Sequence, residues 1–429
     1  MAATSLLRLN AGFLVFWTLL LTLCWFNSYD DPSSVFYDEE RGFQLRHSRQ
    51  RAAEADVFLR HIPPKLPPDH QQLLCIGVPS INRTTQSFLS HTLATLTDTL
   101  TPQDRASIHL VVLLADRPSS HHSAYGQEWI ERLADEILVY DQPPAVGGGN
   151  SSIYRSVPFD LVPGRPRGTG RVENMRLDHS LLFETCRNHS ADYFALVEDD
   201  IIASRDWFAR MKKGLAYVEA RTSKTKQEWL YLRLFFSELL MGWNSEEWLA
   251  YATHIFLAYA AALVLFLAAR KRFRLLGGGG AAGSGDRAQT YRHVTALAFG
   301  LWLPALIALY FLAGRVSVAR VNPLAWWGNP RGVREMPDYG CCAQGLVFPR
   351  RRLDGVFELM RNPPYDFPGD MILEGYAGDK GLKKWALDPS VFQHVGFTES
   401  SEGPRIAEVW NFSFERMKPG GGWNWGWKT

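Results

Sequence analysis

Ala195-Leu196-Val197-Glu198-Asp199-Asp200 is an apolar run that ends in three consecutive carboxylates. A short run of this kind bounded by polar residues reads as a buried strand, Tyr193–Val197, so the acids fall at its carboxyl end. Working outward toward the N-terminus, Leu73–Val78, Ile108–Leu114 and Glu136–Tyr140 read as further strands. Ser87–Leu100, Glu128–Ala134 and Arg171–Cys186 carry helical patterns between them, and 147–150 and 163–170 read as loops. Strands alternating with helices predict an α/β fold with a mostly parallel sheet and flanking helices. Ligands of such sheets bind at the carboxyl ends of strands, where Asp116 and Glu198-Asp199-Asp200 both fall.

Three apolar runs interrupt this pattern: Leu9–Phe26, Trp248–Ala269 and Val294–Ala313. Each is about the length that crosses a bilayer. Arg8 precedes the first and acidic residues follow it, with no small-residue cleavage site, which predicts an uncleaved signal anchor. Arg270, Lys271, Arg272, Arg274, Arg287 and Arg292 lie between the second and third against a single Asp286. The positive-inside rule then places residues 1–8 and 270–293 in the cytosol and the remainder in the lumen. Four N-glycosylation sequons, at Asn82, Asn150, Asn188 and Asn411, all fall in segments assigned to the lumen. The expected organisation is an anchor at 9–26, a stem at 27–70 stiffened by Pro63-Pro64-Lys65-Leu66-Pro67-Pro68, and one catalytic domain. That domain is divided into 71–247 and 314–415 by a membrane hairpin of spans 248–269 and 294–313, and a Trp/Gly-rich tail follows at 416–429.

A formal net charge of +2 over 429 residues gives no sign of nucleic-acid binding, and the basic clusters flank apolar runs, where they mark topology. Of five cysteines, Cys24 lies in the anchor. Cys75, Cys186, Cys341 and Cys342 are expected in the lumen, where one or two disulfides persist, with connectivity open.

Three carboxylates at one strand end repel one another unless a cation offsets them. An isolated acidic triplet is more often a solvated turn. The almost wholly apolar strand before this one favours a divalent metal, and oxygen ligands suit Mn²⁺ or Mg²⁺ bridging the phosphates of a nucleotide-sugar. Arg83 is a candidate for a phosphate or nucleobase edge, although a glycan on Asn82 would crowd it. Asp370 and Glu374, in a loop entering a helix, are candidate bases toward a sugar hydroxyl, with an N-cap the commoner role for Asp370. His394 is a lone histidine before a small turn, and periodicity alone does not single it out.

The segment Ile76–Arg83 with Pro79, the strand leading into Glu198-Asp199-Asp200, and Gln393-His394-Val395-Gly396 together resemble the lumenal GT-A glycosyltransferases related to N-glycan GlcNAc-transferase IV. The hydrophobic hairpin after the acidic motif resembles the Golgi GPI-glycan GalNAc transferase family (post-GPI-attachment to proteins factor 4). The resemblance runs from about Leu73 to Ser401. It implies a GT-A fold, a UDP-sugar donor bound near Pro79, Arg83, Asp116, Glu198 and Asp199, and Mn²⁺ held by Asp200, Glu198 and His394. It also implies Asp370, matched loosely, as the base, GPI-anchored proteins or the GPI glycan as acceptor, and a Golgi membrane location, with the endoplasmic reticulum as the alternative. Glu198 departs from the usual D-x-D, which leaves open which carboxylate meets metal and which meets ribose. An N-glycan GlcNAc transferase and a non-catalytic glycan-binding protein are the competing readings. A transporter is remote, because the spans are few and carry no midspan charge.

Overall fold

The computed structural model describes residues 2–42, 44–68, 71–84, 87–141, 153–160, 170–237, 242–276, 284–319, 332–336, 340, 343–396, 399–400 and 403–404. Cys341, Cys342, the sequon residues Asn150 and Asn411, the glycine run 277–280, nearly all of the two expected loops and the tail 416–429 lie outside these residues. The chain divides into two compact units, Met1–Gly42 with Glu238–Trp326 and Phe43–Ser237 with Trp327–Thr429.

The second unit is built on a nine-stranded sheet of order β4-β3-β2-β1-β5-β9-β7-β10-β8. Its strands are β1 (Leu74–Ser80), β2 (Ile108–Leu114), β3 (Glu136–Tyr140), β4 (Tyr154–Val157), β5 (Tyr193–Leu196), β7 (Trp229–Arg233), β8 (Gly332–Glu335), β9 (Leu346–Pro349) and β10 (Lys383–Asp388). A separate antiparallel pair joins β6 (Ile201–Ala203) to β11 (Phe392–His394). The pairs β4–β3, β3–β2, β2–β1, β1–β5 and β7–β10 are parallel, and β9 runs antiparallel to both β5 and β7. The sheet is thus mostly parallel, as the alternation predicts. A strand from beyond the apolar helices sits in its middle.

The near-continuous apolar runs of β1, β2 and β5 follow from burial on both faces, the normal state of a parallel sheet under helices. Gly77 in β1 permits the tight cover. A Cβ there would lie 2.9 Å from Phe194 and 3.0 Å from Leu182 of the helix Arg171–Arg187. A disulfide between Cys75 and Cys186, whose Cα atoms are 5.7 Å apart, ties β1 to the end of that helix. The segment expected as a stem contains the helix Arg46–Leu59, which packs into this unit instead of standing clear of it. Its buried Arg51 makes a bidentate pair with Asp98 at 2.8 and 2.9 Å and donates from Nε to the Ala203 carbonyl at 3.0 Å.

In the first unit, three helices are long and apolar enough to cross a membrane: Leu6–Asn27, Ser245–Arg272 and Tyr291–Leu312. The last winds more widely over Ala298–Trp302. Pro304 explains the change, because it offers no N–H and its ring would clash with the carbonyl one turn back. The helices touch through tryptophans. Trp17 donates to the Ala305 carbonyl at 3.1 Å, Trp302 donates to Asn10 Oδ1 at 2.9 Å, and Phe13 stacks on Trp302 at 5.4 Å.

Candidate active site at the carboxyl end of β5

The chain leaves β5 through Val197, whose N–H still pairs with the Gly77 carbonyl at 3.0 Å. Glu198, Asp199 and Asp200 then form the turn into β6. Thr92, on the helix Leu89–Thr97, fixes that turn from below. Its hydroxyl lies 2.7 Å from the Asp199 carbonyl oxygen and accepts from the Ile201 N–H at 3.2 Å. From the other side β11 pairs with β6, placing His394 opposite Ile201, and the Val395 N–H donates to the Asp200 carbonyl at 2.8 Å. A Cβ at Gly396 would collide with the Asp200 carboxylate, so glycine lets the turn after His394 close over the acids.

The result joins residues nearly two hundred positions apart. His394 Nε2 stands 3.0 Å from Asp200 Oδ2. The ligand atoms of Glu198, Asp200 and His394 all lie within 4.8 Å of one another. Arg83 reaches the same place, with its guanidinium 2.6 Å from Asp199 Oδ1 and 3.0 Å from Asp200 Oδ2. Here the geometry adds a role that the sequence did not suggest: the guanidinium, expected on a phosphate or base, is drawn to two buried carboxylates. A second line holds Asp199. Ala124 N–H donates to His122 Nδ1 at 3.1 Å, which leaves the proton on Nε2 to face Ser80 Oγ at 3.1 Å, and the Ser80 hydroxyl donates to Asp199 Oδ2 at 2.6 Å.

The three acids differ in charge for reasons visible in this geometry. Burial raises Glu198 well above the usual carboxylate range, and repulsion from Asp200, Asp370 and Asp199 adds to it. Burial also raises Asp199, to about 6, with Arg83 opposing. Burial would raise Asp200 too, but His394 and Arg83 outweigh it and hold that carboxylate ionised. Burial lowers His122 below its ordinary value, so the relay imidazole stays neutral.

A divalent cation fits this donor set on a direct observation. Asp200 Oδ1 is buried and lacks a hydrogen-bond partner among the described residues, a costly state for a carboxylate oxygen unless a cation satisfies it. One imidazole and two carboxylates are suitable ligands for Mn²⁺.

The remaining candidates are placed as follows. Asp116 accepts from the Asn82 N–H at 2.8 Å and lies 3.9 Å from His122 Nε2, at the end of β2. Pro79 lies in β1 opposite Leu113. Asp370 is in the first turn of the helix Gly369–Asp379, where Pro368 occupies the cap. Its carboxylate accepts from the Met371 N–H at 2.9 Å, and it is near enough to raise Glu198. Glu374, one turn further, accepts from Arg233 at 2.7 Å and from Lys384 at 2.6 Å, and Tyr231 also bonds it. Asn82 and Asn188 are exposed. Sequence reasoning missed Ser80, Thr92, His122, and His179, which is buried near Asp370. Of these only Ser80 lies in a segment singled out from sequence, Ile76–Arg83. The signal for Ser80 was a polar residue ending an otherwise apolar strand.

Residues 74–393 match the family described as "GPI-N-acetylgalactosamine transferase PGAP4". The chain is also similar to the alpha-1,3-mannosyl-glycoprotein 4-beta-N-acetylglucosaminyltransferase C of Mus musculus, at 27% identity over 160 residues, which cover 36% of this chain and 32% of the relative. The Macaca fascicularis protein of the same name is 26% identical over 160 residues, with the same coverage. The match therefore spans about a third of the length of these curated relatives. The family match takes in about three quarters of the chain, including Asp116, the acidic turn, Asp370 and β11 up to Gln393, and so the chain belongs to the GPI-N-acetylgalactosamine transferase PGAP4 family of glycosyltransferases.

Proposed function

We propose that this protein transfers a sugar, GalNAc by its family, from a UDP-sugar to the glycan core of GPI anchors, on a GT-A-type domain in the Golgi lumen. The observation that carries the reading is the Glu198–Asp200–His394 cluster with a buried carboxylate oxygen left to bind a cation at the carboxyl end of a parallel strand. Asp200, His394 and Glu198 would hold Mn²⁺ (or Mg²⁺), which when bound supplies positive charge against the departing diphosphate. The chain's own residues do the rest. Arg83 offsets the acids and keeps them in register. Ser80 and His122 fix Asp199 on the nucleotide side, beside Pro79 and Asp116. Asp370 is the base that takes the acceptor hydroxyl's proton in a single inverting displacement. Glu374 is less suited to that task, because two cations already engage its oxygens.

The three apolar helices, Ser245–Arg272 and Tyr291–Leu312 with the anchor Leu6–Asn27, support a membrane location with the domain in the lumen. The catalytic unit is covalently joined to apolar helices at both ends of its one internal break. Two tethers restrict it to the bilayer surface, where a GPI glycan also sits, and so raise the effective concentration of acceptor. N-glycan GlcNAc transfer is the second reading, favoured by the names of the curated relatives.

Full-length protein in detergent, assayed against a panel of UDP-sugars with and without Mn²⁺, tests the donor and the metal. Cells lacking the protein test the acceptor: GPI anchors should lose their side-chain sugar while complex N-glycans stay unchanged. Altered N-glycan branching with normal GPI would move the assignment to the second reading. A fully active Asp200→Ala enzyme would remove the metal site.

A further inference from the structure

The sheet holds a second cluster. His109 is the second residue of β2, Glu136 begins β3, and His189 follows the helix Arg171–Arg187. By the sheet register His109 is level with Phe194 and Glu136 with Leu196, but β2 and β3 lie two and three strands away from β5, so the cluster stands apart from the acidic turn. His109 Nε2 and His189 Nε2 each stand 3.5 Å from the same oxygen, Glu136 Oε2. The two imidazoles lie close together and tilted, with centroids 3.8 Å apart and planes inclined by 32°. The three ligand atoms fall within 4.8 Å of one another.

We propose that His109, Glu136 and His189 form a zinc site, separate from the catalytic cluster, that fastens the N-terminal edge of the sheet to the end of the helix Arg171–Arg187. The distances favour a shared cation over hydrogen bonds. Separations of 3.5 Å are long for N–H···O bonds. Ligands bound tetrahedrally to Zn²⁺ at about 2.0–2.1 Å stand about 3.4 Å apart. Two imidazoles and a carboxylate are a common zinc donor set.

The surroundings hold the three residues in place. Arg155 bonds the other carboxylate oxygen, Glu136 Oε1, and its second nitrogen donates to Thr185 at 2.9 Å. Such an outer partner aims a ligand. The disulfide seats His189. Its N–H donates to the Cys186 carbonyl at 3.2 Å, and Cys186 is bonded to Cys75, which pairs in register with His109. Side-chain exposures of 14% for His109, 16% for Glu136 and 32% for His189 admit an ion and leave room for water as a fourth ligand.

The test uses full-length protein in detergent, stripped by chelator, equilibrated with Zn²⁺ in the presence of excess Mn²⁺, and dialysed before metal analysis. Wild type should retain one zinc per chain more than His189→Ala or Glu136→Gln, and only wild type should gain thermal stability from added Zn²⁺. Co²⁺ in the same protein should give the strong visible absorption of a tetrahedral centre, absent from both variants. His189→Ala keeps the Asn188 sequon and changes a partly exposed residue outside the strands, so it decides alone if Glu136→Gln misfolds. Equal zinc content in wild type and monodisperse His189→Ala, or no zinc retained by wild type, overturns the proposal.

Discussion

Substituting Glu374 by glutamine separates two roles that one carboxylate can play. Its oxygens meet Arg233 at 2.7 Å and Lys384 at 2.6 Å, with side-chain exposures of 12% for Glu374, 1% for Arg233 and 9% for Lys384. Glutamine has nearly the same shape and still accepts a hydrogen bond, but it removes the negative charge that both buried cations face. Removing one partner of a buried ion pair costs about 3–5 kcal/mol. For a unit of this size each kcal/mol is worth about 2 °C of melting temperature, so the loss should be about 6–10 °C. Thermal unfolding of the purified protein in detergent measures it, alongside turnover of the fraction that remains folded. The expected pattern is a lowered melting temperature, with turnover per folded molecule reduced less than tenfold. A variant that melts with wild type yet has lost turnover by orders of magnitude would make Glu374 the base and refute the structural role argued from its contacts.

Asp370→Asn should lower turnover by about 10²–10⁴-fold while UDP affinity, read by calorimetry, stays within a factor of two of wild type. Burial lowers the His179 imidazole to about 4, against the nearby Asp370. Its folded value is thus depressed, so the stability it contributes is present above about pH 6.5 and is lost as the pH falls toward 4. The loss should amount to about 3 kcal/mol, and a His179→Met variant should show a flatter melting-temperature profile over that window. Breaking the Cys75–Cys186 disulfide by a double serine substitution opens a loop of sequence separation 111, which should cost about 2–5 kcal/mol and appear as a lower denaturation midpoint.

The strands β2 and β3 have the bounds read from sequence, and β1, β5 and the helix Arg171–Arg187 differ from theirs by one or two residues. Their legibility has one cause: each is an apolar run long enough to be buried and bounded by polar residues. β4 is Tyr154-Arg155-Ser156-Val157, with two exposed polar residues at its centre, and offers no such run. The place of β9 was beyond local reading for another reason. Nothing in Leu346–Pro349 records that it will pair with β5 on one side and β7 on the other. The acidic turn was visible because three adjacent carboxylates are a local pattern. Arg83 illustrates the limit. Its sequence neighbours suggested a phosphate ligand, whereas its partners are set by burial of Asp199 and Asp200 more than a hundred residues away. His122, Ser80 and Thr92 support the site through a few hydrogen bonds across elements, which leave no periodic trace.

The position of β9 also sets a timetable for biosynthesis. A nascent chain that has emerged only as far as β7 presents β5 and β7 with bare edges, because the strand that bridges them lies more than a hundred residues downstream, past both later apolar helices. Exposed edges of apolar strands are templates for pairing with other chains. The catalytic half therefore waits, unfinished, through the handling of those helices, and a premature stop anywhere between β7 and β9 should yield an aggregating fragment and not a partly active one. Holding factors that shield strand edges would act in that interval.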